Sequence, residues 1–307
     1  MSATIASLRP PGSRSAGVAI FFCALVAFAS YDAFCKYMLQ FYTPPFVNVM
    51  RYFAVIGIAG AMLLHHGDLR IWRAPQKPLL LLRGVMLATV ATCFMTALLW
   101  MPLAEATAIY FTAPLLMVAL SPWLLGETVR RSRWVAVLVG FGGMLLIVRP
   151  GGNLPLLGTV LMAVSAVCYA IFQLLTRRLA GHVASPVQYA YTAIVCLVVT
   201  AIPAPFFWPT QHVPVGDALL LLAGGAVSGA AQWLLLAAFS RVEASTLAPL
   251  NYFQLLLAVL ISSFFFHRPP DTLAIAGIAL IMAAGVYLAR ARTAPRQSPA
   301  GAAAAQQ

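Results

Sequence analysis

WMPLAEATAIYFTAPLLMVALSPWLLGETVRRSR, residues 100–133, decides the fold, because FSRVEASTLAPLNYFQLLLAVLISSFFFHRPPD, residues 239–271, repeats it in degraded form 138 residues on. At that offset Glu105-Ala106 falls on Glu243-Ala244 and Pro114 falls on Tyr252. Past an insertion of two or three residues, Glu127 meets Arg268. Self-similarity at one long spacing marks a chain built from two copies of a unit.

Outward from this pair the solvent becomes clear. The chain is 62% hydrophobic and 8% charged, with a mean hydropathy of +0.90. Soluble domains carry about 25% charged residues, so most of this surface faces lipid. A bilayer crossing takes about 20 apolar residues. Ten such runs are present, at 16–38, 45–64, 78–99, 103–125, 134–149, 155–176, 186–208, 216–239, 244–266 and 272–290. They are continuously apolar, without the alternation of a barrel strand, which selects helices. The expected fold class is an all-α integral membrane protein, ten transmembrane helices forming two inverted-topology five-helix repeats. The polar break at 149–155 (RPGGNLP) separates the copies, and an odd number of crossings per copy turns the second upside down. The expected division is a disordered cytoplasmic tail at 1–15, repeats at 16–150 and 151–292, and a second disordered tail at 293–307.

A net charge of +12 suits a nucleic-acid binder, but the charges are distributed by side of a membrane. With the N-terminus in the cytoplasm, 14 Lys and Arg lie at inner ends and loops. Arg149 and Arg268 lie outside, and Lys36, Arg51 and Arg83 lie within spans. That asymmetry is the positive-inside pattern, and it places both termini in the cytoplasm of a multi-pass protein of the cell (inner) membrane. The five cysteines all fall in apolar spans, where they act as small hydrophobes. The histidines (65, 66, 182, 212 and 267) are scattered over loops on both sides, with no partners at metal-ligand spacing.

Ionisable groups inside a span are costly and face the bundle interior by default. Asp32 and Lys36 share a helix face, and Arg51 stands at a similar depth on the next helix. An Asp32–Arg51 pair is expected, with snorkelling of Arg51 and Lys36 as the alternative. With Glu105 these form an outer charged layer; Arg83, Glu127, Arg241 and Glu243 form an inner one. Uncharged polar and aromatic groups lie between: Thr92, Thr96, Tyr110, Tyr169, Gln232, Trp233, Asn251, Tyr252 and Gln254. Pro114 breaks its span, which lipid tolerates only beside protein or a water-filled cavity. Thr89, Thr92, Thr96 and Trp100 make a stripe on the third span, read equally as cavity lining or as packing glue. Ala136-x-x-x-Gly140 and Gly225-x-x-x-Gly229 are sites for close helix contact.

At these residues the chain resembles the drug/metabolite transporter superfamily, specifically its ten-helix EamA-like members. Ala104-Glu105-Ala106 leading to Pro114 and Gly126-Glu127 carry the likeness in the first half. Val242-Glu243-Ala244-Ser245-Thr246 leading to Tyr252 carry it in the second, and together it spans about residues 16–292. The resemblance implies movement of small metabolites, amino acids or toxic compounds through a cavity between the halves. Arg268 departs from the pattern, since the family usually has Gly-Glu there.

The function expected is a secondary transporter of a small organic metabolite, amino-acid-like or aromatic, working by alternating access. Asp32, Lys36, Arg51, Glu105, Glu127 and Glu243 are the expected gating or coupling residues, around a chamber of the nine uncharged groups. An integral-membrane enzyme on a lipid-linked substrate would need clustered carboxylates, His or Cys at one face. A non-transporting scaffold would not need polar groups in mid-span. Expected partners are a small-molecule substrate and the bilayer, with no nucleic acid, cofactor or metal. Proton coupling through Asp32, import or export, and monomer or homodimer stay open at this stage.

Overall fold

The computed structural model describes residues 11–66, 74–126, 129–148, 154–179, 182–210, 212–242, 247 and 250–291. The expected tails beyond residues 10 and 291, the midpoint break at 149–153, Glu127 and Glu243 lie outside the described residues. The described chain is helical. In order come α1 (Pro11–Met38), α2 (Pro44–His66), α3 (Lys77–Ala97), α4 (Leu103–Tyr110), α5 (Ala113–Leu125) and α6 (Arg131–Val148). Then follow α7 (Leu156–Leu179), α8 (Ser185–Ala201), a 3-10 turn (Ala204–Phe207), α9 (Val215–Arg241), α10 (Phe253–Phe264) and α11 (Thr272–Ala291).

Eight stretches are long and apolar enough to cross a membrane, with α4 and α5 counted as one over Leu103–Leu124. The apolar helices α8 and α10 are shorter, at 17 and 12 residues. The sequence run at 186–208 splits into α8 and the 3-10 turn, whose Phe206 and Phe207 are exposed. Helix starts follow proline, whose fixed φ suits a first turn where its missing N–H costs nothing. Pro78, Pro114 and Pro186 all occupy the first or second position of their helices. The same tolerance lets α1 begin at Pro11, inside the stretch expected to be tail.

Packing exchanges the two halves. α1 packs on α9, and its second-half counterpart α7 packs on α3. α2 packs on α9, and its counterpart α8 packs on α3. α1 touches α10, while α7 touches α4 and α5. Two pairs join counterparts directly, α2 with α8 and α6 with α11, and α4 packs on α10, the counterpart of α5. The larger contacts between the halves thus come mostly in pairs that exchange when the halves are swapped, as a pseudo-two-fold axis between them requires. Five crossings per half put that axis in the membrane plane, so the repeat is inverted.

Glycine sets the closest crossings. A Cβ on Gly143 of α6 would stand 2.6 Å from the carbonyl oxygen of Gly277 on α11, and one on Gly277 would stand 2.4 Å from that of Gly143. Backbones meet here because neither helix carries a side chain. Gly140, singled out in the sequence, packs instead on Leu115 of α5. A Cβ on Gly225 would lie 2.8 Å from the Cα and carbonyl oxygen of Arg51, so α9 seats directly on the backbone of α2 at that residue. Tyr42, in the α1–α2 loop, donates its phenol to Asp217 in the first turn of α9 at 2.5 Å. The Asp217 carboxylate holds that phenol above its ordinary pKa.

Candidate functional site

Span four carries the break that opens the site. α4 ends at Tyr110, and α5 restarts at Ala113 with Pro114 in its first turn. Between them Thr112 donates its backbone N–H to Ile109 at 3.1 Å, and its own carbonyl accepts from Leu115 and Leu116. Proline has no N–H for the regular ladder, so the chain closes one helix and begins another. The second half turns at Asn251 and Tyr252, where the internal alignment puts the counterpart of Pro114.

Both breaks border one central cavity of about 150 Å³. α1 contributes Leu25, Phe28 and Asp32; α2 contributes Arg51 and Tyr52; α3 contributes Leu87, Val90, Ala91, Phe94 and Met95. Tyr110, Phe111, Ala113 and Pro114 line it from the first break, and Asn251 and Gln254 from the second half. Tyr169 of α7 and Gln232 and Leu235 of α9 complete the wall. Of the expected chamber residues, Tyr110, Tyr169, Gln232, Asn251 and Gln254 therefore meet in one cavity.

Aromatic contacts give the wall its shape. The Tyr110 and Tyr169 rings lie 4.9 Å apart, centroid to centroid, and Phe94 meets Tyr110 edge-on at 5.4 Å. Gln173 donates its amide to the Tyr169 hydroxyl at 3.2 Å. Phe94 and Phe28 do not stand out in the sequence, because an aromatic residue in an apolar span carries no mark of its own. Their helical spacing with Leu87 and with Asp32 is the available signal.

The other four chamber candidates are placed elsewhere. Thr92 donates its hydroxyl to Ala88 O at 2.9 Å, and Thr96 donates to Thr92 O at 2.7 Å. Both are bonds within α3, and the cavity face of α3 is the apolar row beside them. Thr92 and Thr96 bond back to their own helix and do not line the cavity. Trp233 follows Gln232 by one helical step, which turns it away from the cavity, and it is 51% exposed on the outer face of the bundle. Tyr252 is buried, with its ring 5.6 Å from Phe111 and its hydroxyl against Gly285 of α11. The double variant Thr92→Val, Thr96→Val should keep binding and thermal stability within about 1 kcal/mol of the native protein, and Trp233→Leu should bind ligand unchanged. Loss of ligand binding in either, read by thermal shift, would return these residues to the site.

The charged layers are rearranged more deeply. Asp32 and Arg51, expected at an outer gate, stand in the cavity with the neutral groups. Asp32 Oδ2 accepts from the Gln254 amide at 3.2 Å, and the Arg51 charge acts on it through space. The Arg51 guanidinium rests over the rings of Tyr31 at 4.7 Å and Tyr52 at 5.3 Å. Lys36 turns away from Asp32, despite their shared face, and donates to the carbonyls of Leu98 and Met101, the latter at 2.7 Å. It thereby caps the end of α3, where the last carbonyls lack helical partners. Glu105 is buried in the first turn of α4, within electrostatic reach of Lys36 and not on the cavity wall.

Arg83, expected in an inner charged layer, is built into the packing of α3, α7 and α8. Its Nε donates to Thr176 Oγ1 at 2.7 Å, its Nη1 to Gln188 O at 3.0 Å and to Thr192 Oγ1. The guanidinium lies 4.4 Å over the Phe172 ring.

An EamA-like transporter family model matches the chain twice, over residues 15–149 and 156–290. The chain belongs to that family. The S-adenosylmethionine uptake transporter of Rickettsia bellii is 27% identical over 278 residues, covering 89% of this chain and 93% of that protein. The pseudopaline exporter CntI of Pseudomonas aeruginosa is 32% identical over 219 residues, covering 70% and 76%. The riboflavin transporter of Vibrio cholerae is 26% identical over 273 residues, covering 87% and 91%. A solved crystal structure superposes with a TM-score of 0.62 at 24% identity, covering 92% of this chain and all of that one, which supports the fold. This EamA-like protein is thus an integral, multi-pass membrane transporter of a small metabolite and not an enzyme.

Proposed function

We propose that the chain is a secondary transporter of the cell's inner, or plasma, membrane, with both termini in the cytoplasm. It moves a small organic metabolite, amino-acid-like or aromatic, by alternating access between the two inverted repeats. The observation that carries this reading is the cavity itself: Tyr110, Tyr169, Gln232, Asn251, Gln254, Asp32 and Arg51 converge at the crossing of the halves, beside both helix breaks. Polar side chains in mid-span are costly unless they serve a site, and rings with a few convergent polar groups are what orient a small ligand. The similar proteins include an uptake transporter and an exporter, so direction is set by gradients and gates rather than by the architecture.

Asn251→Ala should remove binding while leaving membrane insertion intact, because Asn251 lines the cavity at a turn and not at a helix crossing. The measurement is thermal unfolding of the purified protein against a panel of cell metabolites. A ligand at 100 times its dissociation constant stabilises the folded state by about 2.7 kcal/mol. A hit abolished in Asn251→Ala supports the cavity as the binding site; a hit unchanged in that variant moves the site elsewhere. Flux into vesicles with and without an imposed pH gradient then decides whether protons are coupled.

A further inference from the structure

Two arginines inside this bundle, Arg83 buried and Arg51 half-buried, have opposite surroundings. Arg83 spends its donors on Thr176, Gln188 and Thr192 and lies over Phe172. Arg51 lines the central cavity, with its guanidinium over the rings of both Tyr31 and Tyr52. Its buried Nε has no acceptor among the described residues. The nearby carboxylate, Asp32, takes the Gln254 amide and reaches Arg51 only through space.

A guanidinium offers five donors in a planar fork that fits a carboxylate or phosphate bidentately. Leaving such donors unmade in a buried site is expensive, and Arg83 shows that this fold can engage several of them with neutral groups alone. The position of Arg51 is nevertheless firmly held. Gly225 lets the α9 backbone approach its Cα, and two tyrosine faces fix the plane of the charge without consuming any in-plane donor. A fork oriented by its faces and open at its edge is arranged for a ligand.

We infer that Arg51 is the anion subsite of the cavity, so that the transported metabolite carries a carboxylate or phosphate group. This rests on the transporter reading and narrows its substrate class. With Asp32 on the neighbouring helix, the cavity offers charge of both signs, and the aromatic rings of Tyr110 and Tyr169 remain for the body of the ligand.

The test uses the full-length purified protein and three probes of similar shape: benzoate, phenyl phosphate and neutral benzamide. Benzoate or phenyl phosphate should raise the unfolding temperature of the native protein, and benzamide should not. A response to benzoate alone assigns a carboxylate, and one to phenyl phosphate alone assigns a phosphate. In Arg51→Gln the anion should bind about tenfold or more weakly, equivalent to about 1.4 kcal/mol. Arg51→Lys keeps the charge without the fork and should fall between, which preserves the test if Arg51→Gln does not give a monodisperse protein. Equal shifts from benzamide and benzoate overturn the anion subsite, as does an anion shift that persists in Arg51→Gln or an absence of shift with both anions. A neutral metabolite from the broader panel whose binding is lost in Asn251→Ala would, in that event, keep the transporter reading and remove only Arg51 from it.

Discussion

Replacing Gly277 by valine is expected to collapse the protein's thermal stability and most of its yield. A Cβ at this position would stand 2.4 Å from Gly143 O, 2.7 Å from Ile147 Cγ1 and 3.3 Å from Ile147 Cδ1. The isoleucine side chain can rotate, but the carbonyl belongs to the backbone of α6 and moves only if the helix moves. Overpacking of a closed interface costs about 1–3 kcal/mol, and a backbone clash belongs at the top of that range. α6 and α11 are counterparts in the two repeats, and their contact is the most extensive helix pair among the described residues. Their separation therefore disturbs the relation between the halves as well as a local contact. Gly143→Val should act the same way, since its Cβ would meet Gly277 O at 2.6 Å. Gly142, one step round the helix, has nothing within 4 Å of where a Cβ would sit. Gly142→Ala is accordingly the control, expected to fold like the native protein. Unfolding temperature and size-exclusion profile in detergent are the readouts; native-like values for Gly277→Val would show that the α6–α11 crossing is not close.

The second large effect belongs to Asp32, and two substitutions separate its roles. Asp32→Ala removes the acceptor of the Gln254 amide and a carboxylate whose charge acts on Arg51. Removing one member of a buried charge pair leaves the other uncompensated and costs about 3–5 kcal/mol; the lack of direct contact between Asp32 and Arg51 puts this case at or below the lower figure. Asp32→Asn shares the loss of charge but keeps an oxygen for Gln254, which makes it the less destabilised of the two. It should therefore fold and reach the membrane, yet lose transport by about tenfold or more, the equivalent of about 1.4 kcal/mol at the cavity. Expression with a flux or ligand-binding assay distinguishes the outcomes. Full transport by a folded Asp32→Asn would place Asp32 in the framework, beside Arg83, rather than in the mechanism.

The ten apolar runs, the internal repeat and its inversion were legible because each depends on a quantity summed along the chain. Hydropathy over twenty residues, a fixed offset between copies and the parity of five crossings need no knowledge of neighbours. The break in span four was legible for a similar reason: proline lacks an N–H wherever it sits. Which polar residues meet is another kind of question. Gln232 and Trp233 are adjacent in sequence, and only the seating of α9 against α1 and α2 decides that the first faces the cavity and the second faces outward. Helices that are apolar on every side give no stripe to orient them.

The charged residues show the same division. The sequence determined that Asp32, Lys36, Arg51 and Arg83 lie within membrane-spanning segments, and elementary electrostatics determined that each requires a partner. It could not determine the partner, because depth in a membrane is one coordinate and a contact needs three. Lys36 found the carbonyls at the end of α3, Arg83 found two threonines and a backbone oxygen, and Asp32 found an amide from the other half of the chain. Arg51 alone of these was set beside rings on the cavity wall. Composition and periodicity thus determined a ten-helix inverted-repeat membrane protein, while the tertiary packing of the two halves decided which of its buried charges serve the fold and which face the cavity.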